Sequence, residues 1–135
     1  MCLAVYVTTT NSSIEKKQLA QISGLSVCNI SDQLHFVTGW CACSLLKKGS
    51  SWSNPTWELQ PEILPGLAAS VKLLYDKSHE FTFQAVWLDK KTTLIEQRST
   101  IEELLNDIEK NAIKRNYTYI VSRKTKKRRE CRIRR

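Results

Sequence analysis

Glu80 to Leu88 (EFTFQAVWL) constrains this chain more than any other stretch. Phe81, Phe83, Ala85 and Trp87 fall on one face of an extended strand, because side chains alternate along it. Val86 and Leu88 make its second half apolar on both faces. Such a strand needs neighbours on either side and cover on its faces, so it belongs at the centre of a sheet packed against helices. The 135 residues suffice for one such domain. A chain of this size removes roughly two-thirds of its unfolded surface from water.

The remaining segments supply that sheet. Leu3 to Thr8 (LAVYVT) reads as a central first strand, ended by polar residues 9–13. Ser12 and Glu15 stand at capping-box spacing, which predicts a helix over about 13–22 closed by Gly24. Leu25 to Ile30 and Leu34 to Val37 are two further strands, the first holding Cys28 as a small buried hydrophobe and the second His35. Residues 47–60 (KKGSSWSNPTWELQ) read as a long loop whose Trp52 and Trp57 pin it to the body. Pro61 or Pro65 can open the next helix, which carries Leu67, Val71 and Leu74 on one face to about Lys77. After Asp89 to Lys91, residues 92–97 can form an antiparallel return strand. Ser99 and Glu102 repeat the box and predict a helix over about 100–114, closed by a left-handed Asn116. Tyr117 to Ser122 is the last strand. The order β-α-β-β-loop-α-β-(β)-α-β predicts a single α/β (α+β) domain: a mixed sheet of four to six strands under two or three helices.

Charge divides the chain at residue 122. Residues 123–135 hold nine Lys or Arg against one Glu, and the other 122 residues hold 12 basic and 12 acidic side chains. The whole net charge of +8 therefore lies in a basic tail after a neutral body of residues 1–122. A cationic run repels itself, stays solvated and attracts polyanions. Arg123, Lys124, Lys126, Lys127, Arg128, Arg129, Arg132, Arg134 and Arg135 are the candidate contacts to RNA or DNA phosphates. The tail holds no aromatic residue, so base stacking is not its mode. No apolar run reaches the 18 or so residues of a membrane span, and the N-terminus lacks the basic region of a secretory signal. The expected place is the cytoplasm.

Five cysteines, at 2, 28, 41, 43 and 131, are an odd number in what reads as a reducing context, against a disulfide framework. Thiolates are soft metal ligands and redox nucleophiles. Cys41-Ala42-Cys43 places two sulfurs together, yet a tetrahedral site needs four ligands. Cys2, His35, Cys28, His79 or a second chain would have to complete it, Cys2 and His35 being the leading candidates, with zinc one metal such a set would take. Were the first and third strands antiparallel neighbours, Cys2, Cys41 and Cys43 would meet at one edge of the sheet. The opening Met1-Cys2 with Tyr6, and Trp40-Cys41-Ala42-Cys43 some 35 residues on, resemble a family of small bacterial proteins with MC-x-A-L-Y followed by a strand and G-C-G-C. That resemblance implies the same grouping of Cys2 with Cys41 and Cys43, and no activity. Cys2, exposed by removal of Met1, would also resemble an N-terminal nucleophile, although Leu3 stands where the amidotransferases have Gly.

Phosphate-cradling glycine loops and the G-x-S-x-G elbow are absent from the sequence. The leading expectation is a small cytoplasmic protein with a Cys-based thiol or metal site. The alternative is a nucleic-acid-associated accessory protein acting through its tail. A third reading is an interaction protein using the Trp52 and Trp57 loop. Whether the chain is an enzyme is left open.

Overall fold

The computed structural model describes residues 3–37, 43–49, 55–87 and 94–123. Its elements, in chain order, are β1 (Leu3–Thr9), α1 (Lys16–Ser23), β2 (Ser26–Ile30), β3 (Gln33–Val37), β4 (Thr56–Trp57), α2 (Leu64–Lys77), β5 (Glu80–Trp87), β6 (Ile95–Arg98), α3 (Ile101–Glu109), β7 (Ile113–Lys114) and β8 (Tyr117–Ser122). Short 3-10 turns cover Cys43–Leu45 and Pro61–Ile63.

Six strands make one sheet in the order β2-β3-β1-β5-β8-β6, and β4 pairs with β7 in a separate ribbon. β5 lies between β1 and β8, inside the sheet as its sequence requires. β1 is antiparallel to both β3 and β5, and β3 is antiparallel to β2. The run β1-α1-β2-β3-α2-β5 is therefore a split βαβ arrangement of the ferredoxin-like kind. β6-α3-β8 extends it, with β6 parallel to β8. The fold is α+β with a mixed sheet.

Parity decides what each strand buries. Leu3, Val5 and Val7 join Leu19 of α1, Leu67, Val71 and Leu74 of α2, and Leu104 and Ile108 of α3 in one core. Ala4 and Tyr6 point the other way and cluster with Val86. All three helices thus pack on one face of the sheet. Among the described residues no helix packs on the other.

Several boundaries differ from the sequence reading. α1 begins at Lys16, and its box uses Glu15 and Gln18 in place of Ser12 and Glu15. Asn11 Oδ1 accepts from the Ser13 amide at 2.9 Å, so an Asx turn occupies the stretch read as the first helical turn. Gly24 closes α1 at φ 75° as expected. α3 starts at Ile101 with Thr100 and Glu103 as its box, one residue later than predicted. It ends at Glu109, not near Lys114. Asn111 turns left-handed at φ 57°, and its side-chain amide exchanges two 2.8 Å hydrogen bonds with the backbone of Leu59. Ile113 is thereby freed to pair with Trp57. Asn116 is left-handed at φ 55° but serves the turn into β8.

Residues 92–97 were the expected return strand on β5. Instead β8 takes that place, and Ile95–Arg98 lies at the sheet edge beyond it. The reason is burial: Tyr117, Tyr119 and Val121 fill the core, while all four residues of β6 are exposed. Arg98 fastens the edge, donating to Glu80 Oε2 and Ser122 Oγ at 2.9 Å each.

α1 and α2 meet backbone to backbone at Gly66. A Cβ there would sit 2.1 Å from the Ser23 carbonyl oxygen and 2.9 Å from its carbon. Gly66→Ala should improve helix propensity by at most about 1 kcal/mol. The displacement it forces should cost about 1–3 kcal/mol, since neither partner is a movable side chain. Net destabilisation is expected in urea melts. A gain in stability would contradict the close approach.

Candidate functional site

The helix-free face carries a polar row with one residue from each strand of the six-stranded sheet. Cys28 pairs with His35, His35 with Tyr6, Tyr6 with Gln84, Gln84 with Thr118, and Thr118 with Glu96. Strand alternation places all six side chains on the face opposite the core. Four of them are buried: Tyr6 and Gln84 are 8% exposed, His35 6% and Thr118 4%.

Their contacts explain how polar groups are kept there. The Tyr6 and His35 rings stack at 4.6 Å and 15°. His35 Nε2 lies 3.0 Å from Gln33 Oε1. An amide oxygen only accepts, which assigns the Nε2–H tautomer and leaves a lone pair on Nδ1. Burial raises the Tyr6 pKa, and a hydrogen bond from Gln33 partly offsets it. Burial lowers the His35 pKa. Both rings are therefore neutral at pH 7. Gln84 Nε2 donates to Thr118 Oγ1, and the Thr8 and Thr82 hydroxyls share a hydrogen bond of 2.6 Å one row further along.

This arrangement gives stability a defined pH dependence. The folded state resists protonating His35, so His35 favours folding above its unfolded pKa of about 6.5. The contribution is lost as pH falls from there toward the lower folded value. Urea midpoints of the wild type should drop between pH 7.5 and 5.5 by more than those of His35→Gln. Equal drops would mean that His35 is not the titrating group.

The candidate metal ligands are only partly within the described residues. Cys43 is half-buried against the helix-side core. The Leu3 amide donates to its Sγ at 3.2 Å. β1 and β3 are antiparallel neighbours, which is the arrangement the thiol grouping needs. Cys2, Cys41 and Cys131 lie outside the described residues. His35 sits level with Tyr6 on the other face, about 10 Å along β1 from Leu3 at 3.4 Å per residue. The structure does not bring it to Cys43. Among the described residues no three His, Cys, Asp or Glu side chains are grouped to hold a metal.

Of the basic run, only Arg123 is described. Its amide donates to His79 O at 2.9 Å, and its guanidinium donates to Tyr75 O at 3.3 Å and to Asp76 O. A cation at the C-terminal end of α2 suits the helix dipole. Residues 124–135 lie outside the described residues. Trp57 pins its loop as expected, its indole N–H donating to Ala85 O at 2.7 Å, while Trp52 lies outside the described residues.

Sequence reasoning missed the polar row. One signal was available: Gln84 continues the alternation of polar Glu80 and Thr82 into the half of β5 where Val86 follows on the same parity, opposite to Phe81, Phe83 and Ala85. Its partners on β1, β3 and β8 follow only from the strand order. No helix of the described residues is long and apolar enough to cross a membrane. No protein-family model, curated protein or solved structure matches the chain.

Proposed function

We propose that this chain is a small cytoplasmic accessory protein that binds nucleic acid, RNA or DNA, through its C-terminal basic run. One observation carries the reading: the entire net charge of +8 falls in residues 123–135 while the body is neutral. Neutralising phosphates with Lys or Arg releases condensed counterions, which gives salt-sensitive binding without sequence preference. The contacts of Arg123 support a fixed point of departure for the run, with its guanidinium engaged by the helix. Lys124 onward then supplies the phosphate contacts. The test is retention on duplex DNA at two salt concentrations, with the intact chain and with residues 124–135 deleted. Strong, salt-sensitive retention lost on deletion is expected. Retention that survives deletion would overturn the reading.

A second reading keeps the thiols at Cys2, Cys41 and Cys43 as a thiol or metal site. The hydrogen bond from the Leu3 amide to Cys43 Sγ favours it, because Leu3 directly follows Cys2. Metal analysis of protein purified under reducing conditions tests it. Stoichiometric zinc lost in Cys43→Ser would support it, and metal-free wild-type protein would count against it.

A further inference from the structure

We propose that β6 is a self-association edge, and that two copies of this chain pair β6 to β6, antiparallel, across a two-fold axis at Gln97. The proposal does not rest on the basic tail. β6 is the outermost strand on its side of the six-stranded sheet, and all four of its residues are exposed. Leu94 and Ile95, 38% and 58% exposed, are two of the four exposed large apolar side chains among the described residues. An open strand edge beside apolar groups is a template for a further strand.

The backbone supplies the pairing groups. The Ile95 amide donates to Asn116 O at 3.2 Å and the Ser99 amide to Ile120 O at 2.9 Å, so the odd-numbered residues of β6 face β8. Backbone groups alternate in direction along a strand, which turns the N–H and C=O of Glu96 and Arg98 outward. The side chains of Glu96 and Arg98 share the helix-free face, level with Thr118 and Ile120.

Symmetry then limits the register. A two-fold axis perpendicular to the sheet keeps each side chain on its own face, so directly opposed residues have the same parity. An axis at Glu96 sets two glutamates opposite one another, and an axis at Arg98 sets two arginines opposite one another; like charges so placed are destabilising. An axis at Ile95 opposes Leu94 to Glu96. An axis at Gln97 opposes Glu96 of each copy to Arg98 of the other, with Cβ atoms about 4.5–5.5 Å apart. Both of these are hydrogen-bonded pairs, because both residues turn their backbone groups outward. Ile95 of each copy then lies opposite Ser99 of the other and loses exposure.

Both charges can take part. Arg98 meets Glu80 and Ser122 through Nη1, which leaves Nε and Nη2 for another acceptor on an exposed side chain. Glu96 is exposed and forms no ion pair among the described residues. The other edge of the sheet, β2, reads Ser-Val-Cys-Asn-Ile and has no charge to set such a register.

Sedimentation velocity of the full chain, freed of nucleic acid, tests the edge. Four residues a side make a small contact, so a weak dimer is expected, with the sedimentation coefficient rising from monomer to dimer as concentration increases. Glu96→Lys and Arg98→Glu each place like charges opposite one another at both pairs, and each should weaken the dimer by about tenfold or more. An equimolar mixture of the two variants restores opposite charges at both pairs and should dimerise again. Glu96→Pro removes an amide that faces away from β8, so the sheet keeps its ladder and the edge loses its pairing. That variant stands in should Arg98→Glu, which also gives up Glu80 and Ser122, fail to fold. A wild type still monomeric at about 1 mM would overturn the proposal. So would a dimer unchanged in Glu96→Lys and Glu96→Pro, or a mixture of the two folded charge variants that stays monomeric. Growth beyond the dimer would overturn it as well, because pairing β6 with β2 of the next copy gives open fibres where a two-fold axis closes.

Discussion

Between about 50 and 200 mM salt, the intact chain is expected to lose roughly three to five orders of magnitude in affinity for duplex DNA, and the chain ending at Arg123 almost none. The number follows from the count of available cations. Residues 124–135 carry Lys124, Lys126, Lys127, Arg128, Arg129, Arg132, Arg134 and Arg135. If all eight meet phosphates, log K falls against log salt with a slope of about −7. Replacing Lys126 and Lys127 together by Gln should reduce that slope by about 2, whichever sequence is bound. Equilibrium titrations by fluorescence anisotropy on two unrelated duplexes would check both points. A slope that stays steep after deletion would move the binding to residues 1–123, whose 13 basic and 12 acidic groups give almost no net attraction. A strong preference for one duplex would be equally contrary, because phosphate contacts position a protein without reading sequence.

The elements of this fold were legible where the pattern is local, and unclear where a distant partner decides. β1, β5, β8 and α2 appear within a residue or two of the sequence reading, since their apolar periodicity is long and unbroken. The starts of α1 and α3 were read one box too early. In α3 the run Ser99-Thr100-Ile101-Glu102-Glu103 offers two boxes one residue apart, and both satisfy the local rule. The one used has Thr100 Oγ1 accepting from the Glu103 amide at 3.0 Å, in the register that buries Leu104 and Ile108. The end of α3 depends on Leu59, which the Asn111 side chain reaches across 52 positions of sequence. The place of β6 depends on β8, a better strand that comes later in the chain. For the same reason the polar row was hidden. Cys28 and His35 are seven residues apart, yet their pairing follows from the register of a hairpin that spacing alone does not fix. Arg123 shows the converse case. Its charge placed it with the tail, while the carbonyls at the end of α2 hold it to the body.

Trp57→Ala should be the most damaging single substitution in the described body, at about 3–5 kcal/mol. For a chain of this size that corresponds to a fall of about 10–18 °C in Tm. Trp57 is 1% exposed and sits in the core although its strand is only two residues long. Three separate contacts keep it there. Its indole N–H donates to Ala85 O at 2.7 Å, inside the central strand. Its backbone pairs with Ile113, so β4 and β7 close on each other. The Arg115 guanidinium lies over its ring at 4.2 Å, a cation–π contact worth about 1 kcal/mol near the surface and more when desolvated. Truncation removes the largest of the fully buried side chains, leaves a cavity between β5 and the ribbon, and takes the ring from under Arg115. Trp57→Phe separates these effects. It keeps most of the apolar volume and drops the indole N–H, so a loss of about 1–2 kcal/mol is expected. The Ala85 carbonyl would still accept from the Asn116 amide at 3.2 Å, which limits the penalty. Urea denaturation of both variants beside the wild type gives the comparison. Were Trp57→Ala to cost less than Trp57→Phe is expected to cost, the indole would be covering the sheet without holding the β4–β7 ribbon to it.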